Sequence, residues 1–176
     1  MENSFYSFVR IALSRLYRQV VIMGISITDT TTEEGKNIQK MLEEIAEMEV
    51  CVGFQHGKAT EPDGTDICDI ALWNELGTER IPSRPFLRKS VDENTAKIDS
   101  MINRTAGMLL SGQPLQRVLN QLGAFQVGLV QKKIVEGSYV PNALSTIRKK
   151  GSSRPLIDGG RMRQSVHYVI RRKGQE

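Results

Sequence analysis

The segment from Ala71 to Leu87 constrains the fold of this chain more than any other. It carries the only tryptophan, Trp73, a Gly77-Thr78 pair and two prolines within a short span. A glycine readily adopts the backbone geometry that ends a helix, and each proline biases the preceding residue towards an extended conformation. The segment therefore predicts a short helix that ends at Gly77 and an extended arm that leads to Pro85. It contains no histidine, no cysteine and no nucleophile paired with a base, which indicates an architectural role.

The bulk composition indicates one soluble globular domain. The chain has 176 residues, of which 39% are hydrophobic and 25% are charged. This length supports one hydrophobic core and is too short for two domains of ordinary size. We expect a single domain over residues 23–176, with flexible loops near residues 56–66 and 148–160. We predict that residues 1–22 form an N-terminal amphipathic helix or extension. Arginines interrupt the apolar pattern of this segment too often for a membrane span or a signal sequence.

Spacing of apolar residues predicts an α+β fold, with a small antiparallel or mixed sheet packed against two or more long helices, extended loops and an N-terminal helix. Predicted strands cover 24–29, 49–54 and 166–170. Predicted helices start after the Thr30–Thr32 cluster, at Asp66, at Ser90 (running to Leu110), at Pro114 (running to Gly137), at Asn142 and at Arg161.

The cysteines and histidines form no recognisable metal or catalytic pattern. Cys51 and Cys68 lack the second pair of ligands that a structural zinc site needs, so we predict free thiols in a reducing cytosol, with a disulfide between them as the alternative. His56 and His167 stand far apart and beside no evident nucleophile. We therefore predict a protein that is not an enzyme and has no cofactor or metal.

Three acidic residues and one glycine pair are weaker candidates for a site. Asp63, Asp66 and Asp69 lack the spacing of a calcium-binding EF-hand, and we interpret them as loop and helix-capping residues. The Gly159-Gly160 pair before Arg161 offers a phosphate cradle, but the Walker pattern is missing.

Charge is distributed unevenly along the chain, whose formal net charge is +4. Residues 29–110 contain 16 acidic and 9 basic side chains, whereas residues 132–176 contain 11 basic and 3 acidic ones. The basic C-terminal region suits nucleic acid, although no interleaved aromatic run accompanies it. Head-to-tail pairing between acidic and basic faces of neighbouring copies uses the same charges equally well.

Three separated motifs resemble the signature of small neck and tail-completion proteins of tailed bacteriophages. The first is Ala71-x-x-x-Glu75-x-Gly77-Thr78 followed by Arg84-Pro85-Phe86-Leu87. Val50-x-Val52-Gly53 resembles the preceding strand of that superfamily, and the run from Pro155 to Ser165 resembles its closing segment. Gly159 stands where the superfamily commonly has threonine, and residues 1–22 have no counterpart in it.

The resemblance implies a structural virion protein of a phage or prophage, assembled in the host bacterial cytoplasm and located in the neck or upper tail. It implies a ring of copies, commonly a hexamer, around the DNA channel, with head-tail connector or adaptor proteins and tail tube or tail terminator proteins as partners, and with no role at a membrane. Candidate residues for subunit and partner interfaces are Trp73, Glu75, Gly77, Thr78, Arg84, Pro85, Phe86, Leu87, Arg88, Arg161 and Arg163.

Two alternatives stay open at this point. A tail terminator, which caps the tail tube, differs from a tail-completion protein in its partner more than in its fold. A DNA-binding protein that uses the basic C-terminal region is the alternative from another functional class. The aromatic side chains of Trp73 and Phe86 suit either the core of the chain itself or contact with a neighbouring subunit.

Overall fold

The computed structural model describes residues 5–11, 13–24 and 32–174. The elements in chain order are β1 (Phe5–Ile11), α1 (Leu13–Gly24), α2 (Glu33–Glu47), β2 (Met48–Gln55), α3 (Ile67–Leu76), α4 (Phe86–Asp92), α5 (Thr95–Leu110), α6 (Leu115–Glu136), α7 (Leu144–Lys150), α8 (Arg161–Gln164) and β3 (His167–Arg172). The predicted α+β fold is confirmed.

The sheet is small and antiparallel, with the strand order β1-β2-β3. The central strand β2 is buried from Glu49 to Phe54, and α6 contacts both β2 and β3. Glu49 and Arg171 are partners across β2 and β3, where the arginine Nε donates to the carboxylate at 2.7 Å. The predicted strands at 49–54 and 166–170 thus correspond to β2 and β3.

The prediction for the N-terminal region was wrong over part of its length. Residues Phe5–Ile11 form a strand paired with β2, and the helix covers only Leu13–Gly24. Aromatic and β-branched residues favour strands, and pairing with β2 overrides a local helical pattern. Gly24 ends α1, and the rest of the strand predicted at 24–29 lies outside the described residues.

The single helix predicted from Ser90 to Leu110 is two helices. The first, α4, begins at Phe86 and packs on α6, whereas α5 begins at Thr95 and packs on α1. Asn94 occupies the junction with φ −123°, and its side-chain amide donates to the carbonyl of Ser90 at 3.0 Å. The break lets consecutive helices reach different neighbours.

Most predicted helix ends are confirmed by local hydrogen bonds. The Thr32 hydroxyl accepts the backbone N–H of Gly35, and the Asp66 carboxylate accepts that of Cys68. Asn142 was wrongly predicted to cap α7, because Ala143 occupies that position and no side chain caps the helix. The Asn142 side chain instead accepts a hydrogen bond from Arg84.

A continuous hydrophobic core joins the sheet to the helices. Phe54 of β2 and Phe86 of α4 meet edge to face, with ring centroids 6.1 Å apart. Gly123 of α6 faces the ring of Tyr168 so closely that a side chain there would overlap the ring. Cys51 and Cys68 are buried free thiols. Within the described ranges, no helix is long and apolar enough to cross a membrane.

Candidate functional site

The first part of the site is a buried carboxylate that joins α3 to α4. Glu75, in the last turn of α3, is only 7% exposed. Its two oxygens accept the backbone N–H groups of Leu87 at 2.8 Å and Arg88 at 3.0 Å. These N–H groups lie in the first turn of α4, where a helix offers them no acceptor of its own. Glu75 therefore caps that helix from a distance along the chain. Burial raises the pKa of Glu75 despite the opposing effect of these hydrogen bonds.

The turn after α3 depends on Gly77, whose φ of +81° and ψ of 168° suit glycine alone. A Cβ atom at this position would lie 2.9 Å from the backbone nitrogen of Ser83. Thr78 closes the turn, since its N–H donates to the carbonyl of Ile81 at 2.8 Å and its hydroxyl accepts the N–H of Ile81 at 3.0 Å. The Gly-Thr pair therefore brings the arm, residues 78–85, back against the end of α3.

Arg84 fixes the arm to the loop of residues 137–143 between α6 and α7. Its guanidinium donates to the side-chain oxygen of Asn74 at 2.8 Å, to the carbonyls of Val140 at 2.9 Å and Pro141 at 3.3 Å, and to the side-chain oxygen of Asn142 at 3.1 Å. All four acceptors are neutral. The residue is only 5% exposed, and burial lowers the pKa of Arg84. We call residues 67–92, held together by Glu75, Gly77 and Arg84, the α3–α4 unit.

Several predicted interface residues therefore face the interior of their own chain. Phe86 and Leu87 lie in the core, and Glu75 and Arg84 are buried among hydrogen-bond partners. These four residues were candidates for subunit and partner interfaces, and the structure buries all four within their own chain. They are buried because the extended arm turns back and starts α4 within the core. Pro85 stands at the N-cap position of α4.

Trp73 remains a surface residue, at 40% exposure, and Leu76 is exposed at 67%. These residues are three positions apart on α3, so they share a face of the helix. Arg88 is also exposed on the first turn of α4. We call Trp73 and Leu76 the α3 apolar patch. Leu76 was not predicted as a surface residue, since a leucine before a terminal glycine resembles an ordinary core position.

A cleft of about 530 Å³ opens between α3, the arm and α7. The cationic residues lining it are Arg80, Arg84, Lys149 and Lys150, and the acidic ones are Glu61, Asp63 and Asp158. The Lys150 ammonium donates to the carbonyls of Arg154 and Pro155, both at 3.3 Å, and burial lowers the pKa of Lys150. The basic C-terminal region of the sequence thus forms one wall of the cleft.

The closing motif reaches the same cleft through α8. Arg161 donates to the carbonyl of Thr60 at 3.1 Å and lies 3.7 Å from the Glu61 carboxylate. Met162 lines the cleft, whereas Arg163 is exposed and its carbonyl accepts from the Gln131 side chain. The structure therefore places Arg161 against the loop that follows β2 and leaves Arg163 on the surface.

His56 and Cys68 show contacts typical of structural roles. His56 is half-exposed, and its Nε2 lies 3.6 Å from Asp66 and 3.9 Å from Asp69. Burial raises the pKa of Cys68 to about 11, which keeps this thiol protonated at neutral pH. Within the part of the chain that the structure describes, no three histidine, cysteine or acidic residues form a group that would hold a metal ion.

Comparison with known proteins adds no family assignment. No protein-family model, curated protein or solved structure matches the chain.

Proposed function

We propose that this chain is a structural virion protein of a tailed phage or prophage, a tail-completion or neck protein that joins the tail to the head connector as a ring. The observation that carries the proposal is the α3–α4 unit. Hydrogen bonds of Glu75 and Arg84 join the motif segments that resemble the phage superfamily to one another. That unit displays Trp73 and Leu76 to solvent.

The α3 apolar patch suits a contact between subunits. Tryptophan is enriched among the residues that contribute most to protein interfaces, and exposed apolar patches mark interaction sites. The hydrogen bonds of Glu75 and Arg84 fix the backbone on either side of the patch. A rigid patch loses little conformational freedom when a partner binds.

A ring requires two different complementary surfaces on every copy, since each copy contacts its neighbours head to tail. The acidic middle and basic C-terminal region of the sequence supply opposite charges. Exposed basic residues lie on α7, and α2 exposes more glutamates than lysines. In this proposal the ring surrounds the DNA channel and is a hexamer, as such rings commonly are. It binds the head-tail connector or adaptor on one side and tail proteins on the other.

Replacement of the α3 apolar patch tests the contact. We expect Trp73→Ser combined with Leu76→Ser to weaken self-association of the purified chain about tenfold or more, as for an interface hot spot. Ile22→Ser combined with Met23→Ser is the matched control, because both residues are exposed apolar side chains on α1. Sedimentation velocity over a concentration series measures the effect. Equal weakening by both pairs, or by neither, contradicts the proposed contact.

The tail terminator remains the close rival, and binding partners separate the two. Immobilised chain should retain connector proteins in preference to tail tube protein if it completes the neck. Preference for tail tube protein supports the terminator.

Binding to DNA is the rival from another functional class. It is favoured by the exposed Arg148, Lys149 and Arg154 around the C-terminal end of α7. Strong, salt-dependent binding of the free chain to duplex DNA would support it. We propose no enzymatic activity.

A further inference from the structure

Helix α7 stands on the surface of the molecule with none of its seven residues buried. Both of its ends are nevertheless held in place. Arg84 donates to the carbonyls of Val140 and Pro141 before the helix, and Lys150 donates to those of Arg154 and Pro155 after it. The helix is therefore positioned by its ends and leaves one face uncovered.

That uncovered face combines an apolar side chain with positive charge. Ala143, Thr146 and Lys149 line the cleft, whereas Leu144 is exposed at 73% and Arg148 lies four residues further along the helix. Residues four apart share a helix face, so Leu144 and Arg148 form one surface, and Val140 is exposed in the loop before the helix. Arg148 and Lys149 form no ion pair with another described residue.

A complementary surface lies on the second half of α2. Glu43, Glu44 and Glu47 are exposed there, and Met41 and Leu42 beside them are only partly buried. Glu43 accepts a hydrogen bond from the neutral side chain of Gln39, and Glu47 lies 4.0 Å from Arg172. Within the chain, α2 packs on α1 and β2. Lys40 is exposed beside these glutamates and Lys173 donates to the carbonyl of Ala46, so the outer face carries an excess of acidic side chains rather than acidic ones alone.

We infer that α7 of one copy docks on the second half of α2 of the next copy. Arg148 faces Glu43 and Glu44 across this contact and Lys149 lies at its edge beside the cleft, while Leu144 packs beside Met41 and Leu42. The two surfaces differ, so the contact is heterologous and leaves one free surface of each kind for the next copy. This inference rests on the proposed ring and specifies which surfaces join its subunits.

Two charge-reversal variants test the pairing. R148E/K149E makes both surfaces acidic, and E43K/E44K makes both basic. Either variant alone should associate about tenfold or more weakly than the wild type, because like charges then meet at every contact. An equimolar mixture should recover association, since each surface again meets its opposite when the two variants alternate. Sedimentation velocity at low salt gives the comparison.

The recovery in the mixture also shows that both variants are folded. Lys58→Glu combined with Arg104→Glu is the charge-matched control, because both residues are exposed and lie outside α2 and α7. The inference is overturned if each variant alone associates like the wild type, if the mixture fails to recover, or if wild type and mixture both stay monomeric. Detection of the chain in purified virions is a separate result, so loss of this pairing leaves the proposed function standing.

Discussion

The carboxylate of Glu75 accepts the backbone N–H of Leu87 at 2.8 Å, which joins the end of α3 to the start of α4 across the whole proline-containing arm. Its other oxygen accepts the N–H of Arg88. A glutamate at the end of one helix thus serves as the cap of the next. This relationship explains why an acidic residue, a Gly-Thr turn and a Pro-Phe-Leu segment occur together in the sequence.

Replacement of Glu75 by alanine should destabilise the fold by about 2 kcal/mol, because the N–H groups of Leu87 and Arg88 then lose their acceptor. Urea unfolding followed by circular dichroism measures the change. Glu79→Ala is the control, since Glu79 is exposed on the same segment. Equal stability of wild type and Glu75→Ala would show that the cap contributes nothing.

The pH dependence of stability should carry a signature of Glu75. Burial raises the pKa of this carboxyl above its unfolded value, so its proton binds more tightly to the folded chain. Stability from this group is therefore present below the unfolded pKa and is lost as pH rises through the folded pKa. The wild type should gain stability relative to Glu75→Gln as pH falls from 7 to about 4.3. A relative loss over that range would mean that the hydrogen bonds outweigh burial.

Arg84 should hold the connector between α6 and α7 in place. Its replacement by methionine removes four hydrogen bonds and leaves the partly buried acceptors on Asn74 and Asn142 without this donor. We expect a loss of about 3 kcal/mol and faster cleavage by trypsin after Arg148 or Lys149. Arg84→Lys should recover only part of both effects, because lysine lacks the planar fork. Unchanged cleavage in Arg84→Met would contradict the role of Arg84 in positioning α7.

Gly77 should tolerate substitution far less well than Gly64. Both have positive φ, at +81° and +86°, but only a Cβ at Gly77 would contact the backbone, near Ser83. Gly64→Ala should cost about 1–2 kcal/mol through backbone strain alone. Gly77→Ala should cost about 3 kcal/mol, because its backbone region is nearly exclusive to glycine and the arm must also move. Chemical denaturation of the two variants compares them, and equal losses would exclude the close approach.

The sequence predicted most of the elements whose ends depend on local chemistry, although the cap expected at Asn142 was wrong. Asp66 and Thr32 cap helices as expected, and the buried run of β2 follows from its apolar residues. Interactions between distant residues were not predictable. Pairing with β2 makes Phe5–Ile11 a strand, and the remote cap from Glu75 lets α4 begin at Phe86.

The site shows the same division between local and long-range effects. The turn at Gly77 was evident from the sequence. The burial of Arg84 was not, because it depends on the loop between α6 and α7, where Val140 lies 56 residues away. A buried arginine among neutral acceptors has no local sequence signal. Exposure of Leu144 was equally hidden, since only the position of α7 on the surface determines it.

Imaging of purified virions by cryo-electron microscopy tests the central claim most directly. The account predicts that this chain forms a closed ring at the junction of head and tail, with each copy contacting its neighbours through two different surfaces. Absence of the chain from virions, or its presence there only as a monomer or a two-fold dimer, would contradict the account.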